Sequence, residues 1–305
     1  MNYEILDKKV LSSNEKNMLA GKVYLPSEKI VGYFHVVHGM TEHIARYDKF
    51  MRTLAENGFI VFGYDHLGHG YTAKDDSELG FIAEHNGDDL LARDVKIFAD
   101  AIKEEYGDYP YYLMGHSMGS FVVRMATQKY ITPQKLIIMG TSGPNPISGL
   151  GLIICKIIRK INGSHHVSPL VESMAFGSYN NRFKDENDNR SWLTNNVDIR
   201  RKYDADRFCT FKFTISAMHD LISLINDCNS DAWFKDVAPK MPILLVSGED
   251  DPVGNYGKSV IAVKKNLNKY NANVTMKLYK NNRHEVLNDN SHEECVSDII
   301  DFIKA

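Results

Sequence analysis

The 305-residue chain has little cysteine, little net charge and no long apolar run, and each shortage excludes a class of protein. Its 4 cysteines, Cys155, Cys209, Cys228 and Cys295, lie far apart with no C-x-x-C pair. That pattern fits neither a disulfide framework nor a cysteine-rich metal site, and it agrees with a reducing compartment. The formal charge is only −3, with no basic excess of the kind nucleic acid demands, so no nucleic-acid partner is expected. No stretch reaches the ~18 apolar residues of a spanning helix. The first twenty residues are polar and charged and lack the apolar core of a signal peptide. A soluble, cytoplasmic protein is therefore expected. Internal repeats and low-complexity linkers are also missing.

What is present is alternation. Short apolar, β-branched runs occur at Val31–Val37, Phe59–Tyr64, Tyr111–Met114, Leu136–Met139, Ile243–Val246 and Val274–Tyr279. Such runs suit central strands of a parallel sheet, where both faces are covered. Between them lie segments of helical period, such as Leu91, Val95, Phe98 and Ile102, or Tyr47, Phe50, Met51 and Leu54. The implied architecture is α/β, a mostly parallel sheet flanked by helices.

From Pro144 to Pro239 the strands stop. This predicts a core of residues 1–143 and 240–305 with a helical cap over 144–239. At the start of the cap, Leu150, Ile153, Ile154, Ile157, Ile158 and Ile161 share one helical face, opposite Lys156, Arg159 and Lys160. That face is expected to pack on the body. The helix 150–161 is also a candidate for transient contact with a membrane or micelle.

The sharpest motif is Gly115-His116-Ser117-Met118-Gly119. It stands between a strand and the helical segment Ser120–Tyr130, as a nucleophile elbow requires. Serine needs a base, and in this topology the order is Ser, then acid, then His. His284 follows the last strand. The acid lies in Glu249-Asp250-Asp251, where Asp251, just before Pro252, is favoured and Asp250 and Glu249 are alternatives. The oxyanion donors are expected to be the backbone amides of Met118 and of Met40, in the loop after the first parallel strand. The pairs His66/His69 and His165/His166 lack the three or four convergent ligands of a metal site, and no dinucleotide fingerprint follows Gly68-x-Gly70. Neither metal nor cofactor is expected.

His38-Gly39-Met40-Thr41-Glu42-His43-Ile44-Ala45-Arg46-Tyr47, Asp65-His66-Leu67-Gly68-His69-Gly70 and the serine elbow together resemble the monoacylglycerol lipase and lysophospholipase group of the α/β-hydrolase superfamily, the serine aminopeptidase S33 type. The resemblance runs in order over nearly the whole chain and is weakest in the insertion. It implies an α/β-hydrolase fold and a Ser117, Asp251, His284 triad. Met40 and Met118 become the oxyanion amides, and 144–239 a cap over an acyl pocket. Glu42 and Arg46 match the pattern as candidate substrate-binding residues. The resembled lipases carry a second His three residues after the catalytic one that helps hold the glycerol end; here that position is Leu287, a departure that bears on glycerol recognition and leaves hydrolysis untouched. The implied activity is hydrolysis of a single-chain lipid ester. The alternatives are aminopeptidase, thioesterase or acyltransferase use of the same triad, or a small non-lipid ester. A peptidase would need an anion for the substrate amine, for which Glu172 and Glu186 are the candidates.

Overall fold

The computed structural model describes residues 3–305. Eight strands form one sheet: β1 (Tyr3–Leu11), β2 (Met18–Pro26), β3 (Gly32–Val37), β4 (Phe59–Tyr64), β5 (Tyr111–His116), β6 (Lys135–Met139), β7 (Ile243–Gly248) and β8 (Val274–Tyr279). Their order is β1-β2-β4-β3-β5-β6-β7-β8. The pairings β1–β2 and β2–β4 are antiparallel and all others parallel. All six expected strands are present, but β8, expected among the central ones, is the outer strand and alternates half-buried and exposed residues. The β1–β2 hairpin is additional.

The helices are α1 (Asp48–Glu56), α2 (Gly87–Tyr106), α3 (Met118–Lys129), α4 (Ser148–Asn162), α5 (Pro169–Phe176), α6 (Val197–Ala205), α7 (Ile215–Cys228), α8 (Asp231–Val237), α9 (Lys258–Asn268) and α10 (His292–Lys304). Both faces of the sheet are covered, which is why β3, β4 and β7 are buried at every residue. On one face α1 and α10 supply Phe50, Met51, Leu54, Val296 and Ile299 against Phe34, Val61 and Leu244. On the other, α2, α3 and α9 supply Val95, Phe98, Val122 and Val263 against Tyr33, Phe62 and Leu245. All four cysteines are free and buried.

The segment between β6 and β7 is helical, carrying α4 to α8. Not all of it stands over the sheet's end. Trp233 of α8 is fully buried, and its Nε1–H donates to Arg124 O of α3 at 2.6 Å. The Arg124 guanidinium lies 4.3 Å from the Trp233 ring centroid. So α8 is fastened to the body. The apolar stripe of α4 is also divided. Ile154 and Ile158 pack on the main core and Cys155 is buried, whereas Leu150, Ile153, Ile157 and Ile161 are more than half exposed. The stripe is wider than the single helix α7 beneath it can cover, so the expectation that this face packs wholly on the body holds for only part of it. Among the described residues no helix is long and apolar enough to cross a membrane.

Candidate active site

The C-terminal ends of β3, β5, β7 and β8 converge at one rim of the sheet, where open α/β folds place ligands. After β5 the chain turns through Ser117 with φ 54° and ψ −121°, and α3 begins at the next residue. A positive φ at a non-glycine residue costs on the order of 1–3 kcal/mol and persists only where the surroundings impose it. Here Ser117 N–H donates to Met139 O at 3.0 Å. The flanking glycines are obligatory. A Cβ on Gly115 would strike the Gly119 carbonyl, and one on Gly119 would strike the carbonyls of Val37 and His38. That close approach of α3 to β3 brings the Met118 amide beside the loop carrying Met40.

β7 ends at Gly248, and Asp251 follows in the turn. Its carboxylate is fully buried. It accepts Val253 N–H at 2.8 Å, and both of its oxygens lie 3.0 Å from His284 Nδ1. Of the three neighbouring acids, Glu249 is exposed and Asp250 half-buried; Asp251 is the one on His284. His284 sits in the loop after β8 with the Trp192 ring 5.2 Å away. Ser117 and His284 line one cavity of about 290 Å³. Met40 and Met118 line it too, as do Glu42 and Arg46. Every expected site residue except Asp251, which stands behind His284, therefore opens on this cavity.

Glu42 and Arg46 are engaged. Glu42 Oε1 accepts Gly39 N–H at 2.5 Å and Tyr47 O–H at 2.8 Å, and Oε2 accepts Arg46 Nη1–H at 2.7 Å. Arg46 then forks onto both oxygens of Glu285, each at 2.8 Å. Burial pushes the Glu42 carboxyl up, but His116 and Arg46 outweigh it and hold it well below the usual carboxylate range. Burial likewise pulls His116 down, yet its hydrogen bond to Glu42 leaves it above the ordinary imidazole value. The result is a buried row of alternating charge, worth much only while complete. Glu285 was not foreseen. Its only signal was its place beside His284. Leu287 is buried in the core beneath and is not part of the cavity wall.

The paired histidines act on backbone. His38 Nδ1–H donates to Gly39 O at 2.8 Å and its Nε2 accepts His66 N–H at 3.0 Å. His69 Nδ1–H donates to Leu67 O at 2.9 Å and its Nε2 accepts Thr41 N–H at 3.3 Å. Each needs the neutral imidazole. Burial keeps them so, holding His38 well below the ordinary imidazole value and drawing His69 down to about 4; His66, whose Nε2–H donates to His38 O at 3.1 Å, is drawn down to about 3. His165 is exposed and stacks on Phe81, 3.9 Å between centroids. Of the acids considered for an amine, Glu186 lies outside the cavity wall, tied to Arg283 and to Arg200 (2.6 Å), and the Arg283 hydrogen bond lowers it to about 2. Glu172 lines the cavity but pairs with Lys212 at 2.8 Å. A third donor group, His43, Asp206 and Cys209, has its ligand atoms within 4.8 Å of one another, with His43 and Asp206 already paired at 2.8 Å.

The sequence profile of the serine aminopeptidase S33 family matches residues 28–291. The chain belongs to this α/β-hydrolase family. Among relatives, it is 30% identical to the monoglyceride lipase of Mus musculus over 141 residues, 45% of each chain. It thus spans less than half the length of that relative. It is 23% identical to the monoacylglycerol lipase of Mycolicibacterium smegmatis, over 92% of this chain and 91% of the other. Among solved structures, a thermostable carboxyl esterase from Bacillus coagulans, in complex with glycerol, superposes with a TM-score of 0.92 at 28% identity over 98% of both chains. The fold is therefore shared with that esterase over 98% of both chains.

Proposed function

We propose that the protein is a serine hydrolase of single-chain lipid esters, working through an acyl-enzyme. The observation that carries this reading is the buried Asp251–His284 pair, facing a cavity that Ser117 also lines. Ser117 Oγ attacks the ester carbonyl while His284 Nε2 takes its proton. Asp251 fixes the Nδ1–H tautomer and stabilises the imidazolium. The Met40 and Met118 amides receive the oxyanion. On collapse, the C–O bond to the alcohol breaks and His284 returns the proton to the leaving oxygen. Water then attacks the acyl-serine by the same route, releasing the acid and restoring Ser117.

The cavity's walls favour a lipid. Phe121, Phe176, Phe213, Met218, Leu221 and Ile225 form its apolar side, and Thr41, Asn189 and Arg190 contribute polar groups. About 290 Å³ is at the low end for small-molecule sites, which suits one acyl chain rather than two. Names of relatives point the same way. Peptidase use is disfavoured because Glu42, Glu172 and Glu186 each already hold a cation of the protein.

The exposed row of α4, together with Leu170 and Met174 of α5, is the surface that would rest on a lipid aggregate, with Lys156 and Lys160 beside it. Two assays test the reading. Monoacylglycerols and p-nitrophenyl esters of graded length should be cleaved with one optimum, and aminoacyl p-nitroanilides should not; the reverse order would overturn it. Ile153→Asp with Ile157→Asp should lower turnover of vesicle-borne monoacylglycerol several-fold and leave a soluble butyrate ester unchanged; equal loss on both would remove the surface role.

A further inference from the structure

The loop carrying Met40 is held from the cap side by one hydroxyl. Tyr203, in α6, is buried, and its O–H donates to Thr41 O at 2.8 Å. The Thr41 Oγ1 lies 2.8 Å from the same hydroxyl. Thr41 Oγ1–H also donates to Met40 O at 2.8 Å, so the two hydroxyl protons are shared among three contacts that tie Tyr203, Thr41 and Met40 together. Burial pushes the Tyr203 phenol well up, so it stays a donor at any working pH.

Thr41 needs such a grip. Its φ is +50°, a conformation that β-branched residues avoid. From the body side its N–H reaches only His69 Nε2, at 3.3 Å. The cap side adds more contacts along the same stretch. His43 Nε2 meets Asp206 Oδ2 at 2.8 Å, the His43 and Phe208 rings pack edge to face at 5.7 Å, and Arg46 lies 4.8 Å over the Tyr203 ring. Residues 203–208 thus rest on residues 41–46 throughout.

We propose that Tyr203 is a positioning residue that couples the cap to the oxyanion hole: by gripping both the carbonyl and the hydroxyl of strained Thr41, it holds the preceding Met40 amide at the aim the tetrahedral intermediate requires. The cap is then part of the catalytic geometry as well as a roof, and a displaced α6 leaves the donor pair incomplete. This inference rests on the oxyanion role given to Met40 above.

The test is Tyr203→Phe, which keeps the ring on Arg46 and deletes only the hydroxyl. Losing one oxyanion donor outright lowers kcat about 10²–10³-fold. Loosening one should lower kcat about tenfold with KM nearly unchanged. A trifluoromethyl ketone, which forms an oxyanion on Ser117, should lose affinity in step with kcat/KM. The matching alkyl ether, which forms none, should bind as before. Arg201→Ala, on the solvent side of the same helix, should leave all four values unchanged. Melting temperature and circular dichroism identify a folding defect, and in that case Thr41→Ser, which keeps the hydroxyl at the grip while removing the β-branch, should retain wild-type kcat if the grip works as described. An active wild type with an unaltered ketone-to-ether affinity ratio in Tyr203→Phe would overturn the inference. A wild type that cleaves no ester and takes no fluorophosphonate would instead overturn the functional reading beneath it.

Discussion

Replacing Arg46 by Met keeps the aliphatic stem and removes the charge between two buried carboxylates. Glu42 and Glu285 are 4% and 5% exposed at their side chains, and Arg46 bonds both of them. Breaking a buried ion pair from one side costs about 3–5 kcal/mol, because the abandoned charge stays desolvated. At ~2.1 cal/mol/K per residue, 305 residues give an unfolding entropy near 0.6 kcal/mol/K. The melting temperature should therefore fall by about 5–8 °C. The diagnostic step is the second substitution. Adding Glu285→Gln to Arg46→Met removes one of the two orphaned charges, leaving Glu42 with Gly39 N–H, Tyr47 O–H and His116, and should recover part of the stability. The penalty of Arg46→Met should also be smaller at pH 5 than at pH 8. An orphaned carboxyl has its folded pKa raised, so the destabilisation grows as pH rises above the unfolded value of ~4.3. Urea unfolding of the single and double variants at both pH values measures all of this. A loss below about 1 kcal/mol, or a double variant weaker than the single one, would refute the alternating-charge account.

Ser117→Ala should abolish fluorophosphonate labelling, read by intact mass, and reduce ester turnover by ~10⁴-fold or more. Gly119→Ala should yield little folded protein, since its methyl group would enter the carbonyls of Val37 and His38; normal expression and melting would contradict the close packing of α3 on β3. Stability should decline as pH falls from about 6.5 toward 5. His66 and His69, held by burial near 3 and 4, stay neutral when folded and protonate when unfolded. Asp94 and Asp220, raised by burial, act in the opposite sense nearer pH 4, so the histidine slope is best read above pH 5. His69→Gln should flatten that slope in urea midpoints, and an unchanged slope would assign the effect elsewhere.

The central strands were legible because burial on both faces leaves an unbroken apolar signature, as in Phe59–Tyr64, whose predicted and observed limits coincide. The β1–β2 hairpin was not. It lies at the sheet's edge, and β1 alternates half-buried and exposed residues such as Glu4, Asp7 and Lys9, which reads as a polar segment. Ser117 and His284 were legible because an elbow and a chain order are local facts. Asp251 emerged from three adjacent acids only in part, since which carboxylate turns inward is decided by the turn after β7. Tyr203 and Glu285 left almost no local mark. Their partners, Thr41 and Arg46, are far away in the chain, and only tertiary packing joins them. The divided face of α4 was hidden for a related reason: helical period shows which residues share a side, not how much of that side a neighbour covers.

β8 is the outer strand of the sheet, and His284 hangs from the loop that follows it. Ser117, by contrast, stands at the sheet's centre, in the turn directly after β5. The two halves of the proposed reaction centre therefore belong to regions that open with different free energies. Fraying of the outer edge would withdraw the base while the elbow remains intact. Catalysis should then fade on heating before the far-ultraviolet signal does. Turnover would act as a local thermometer of the sheet's margin, reporting a partial opening that no global probe registers.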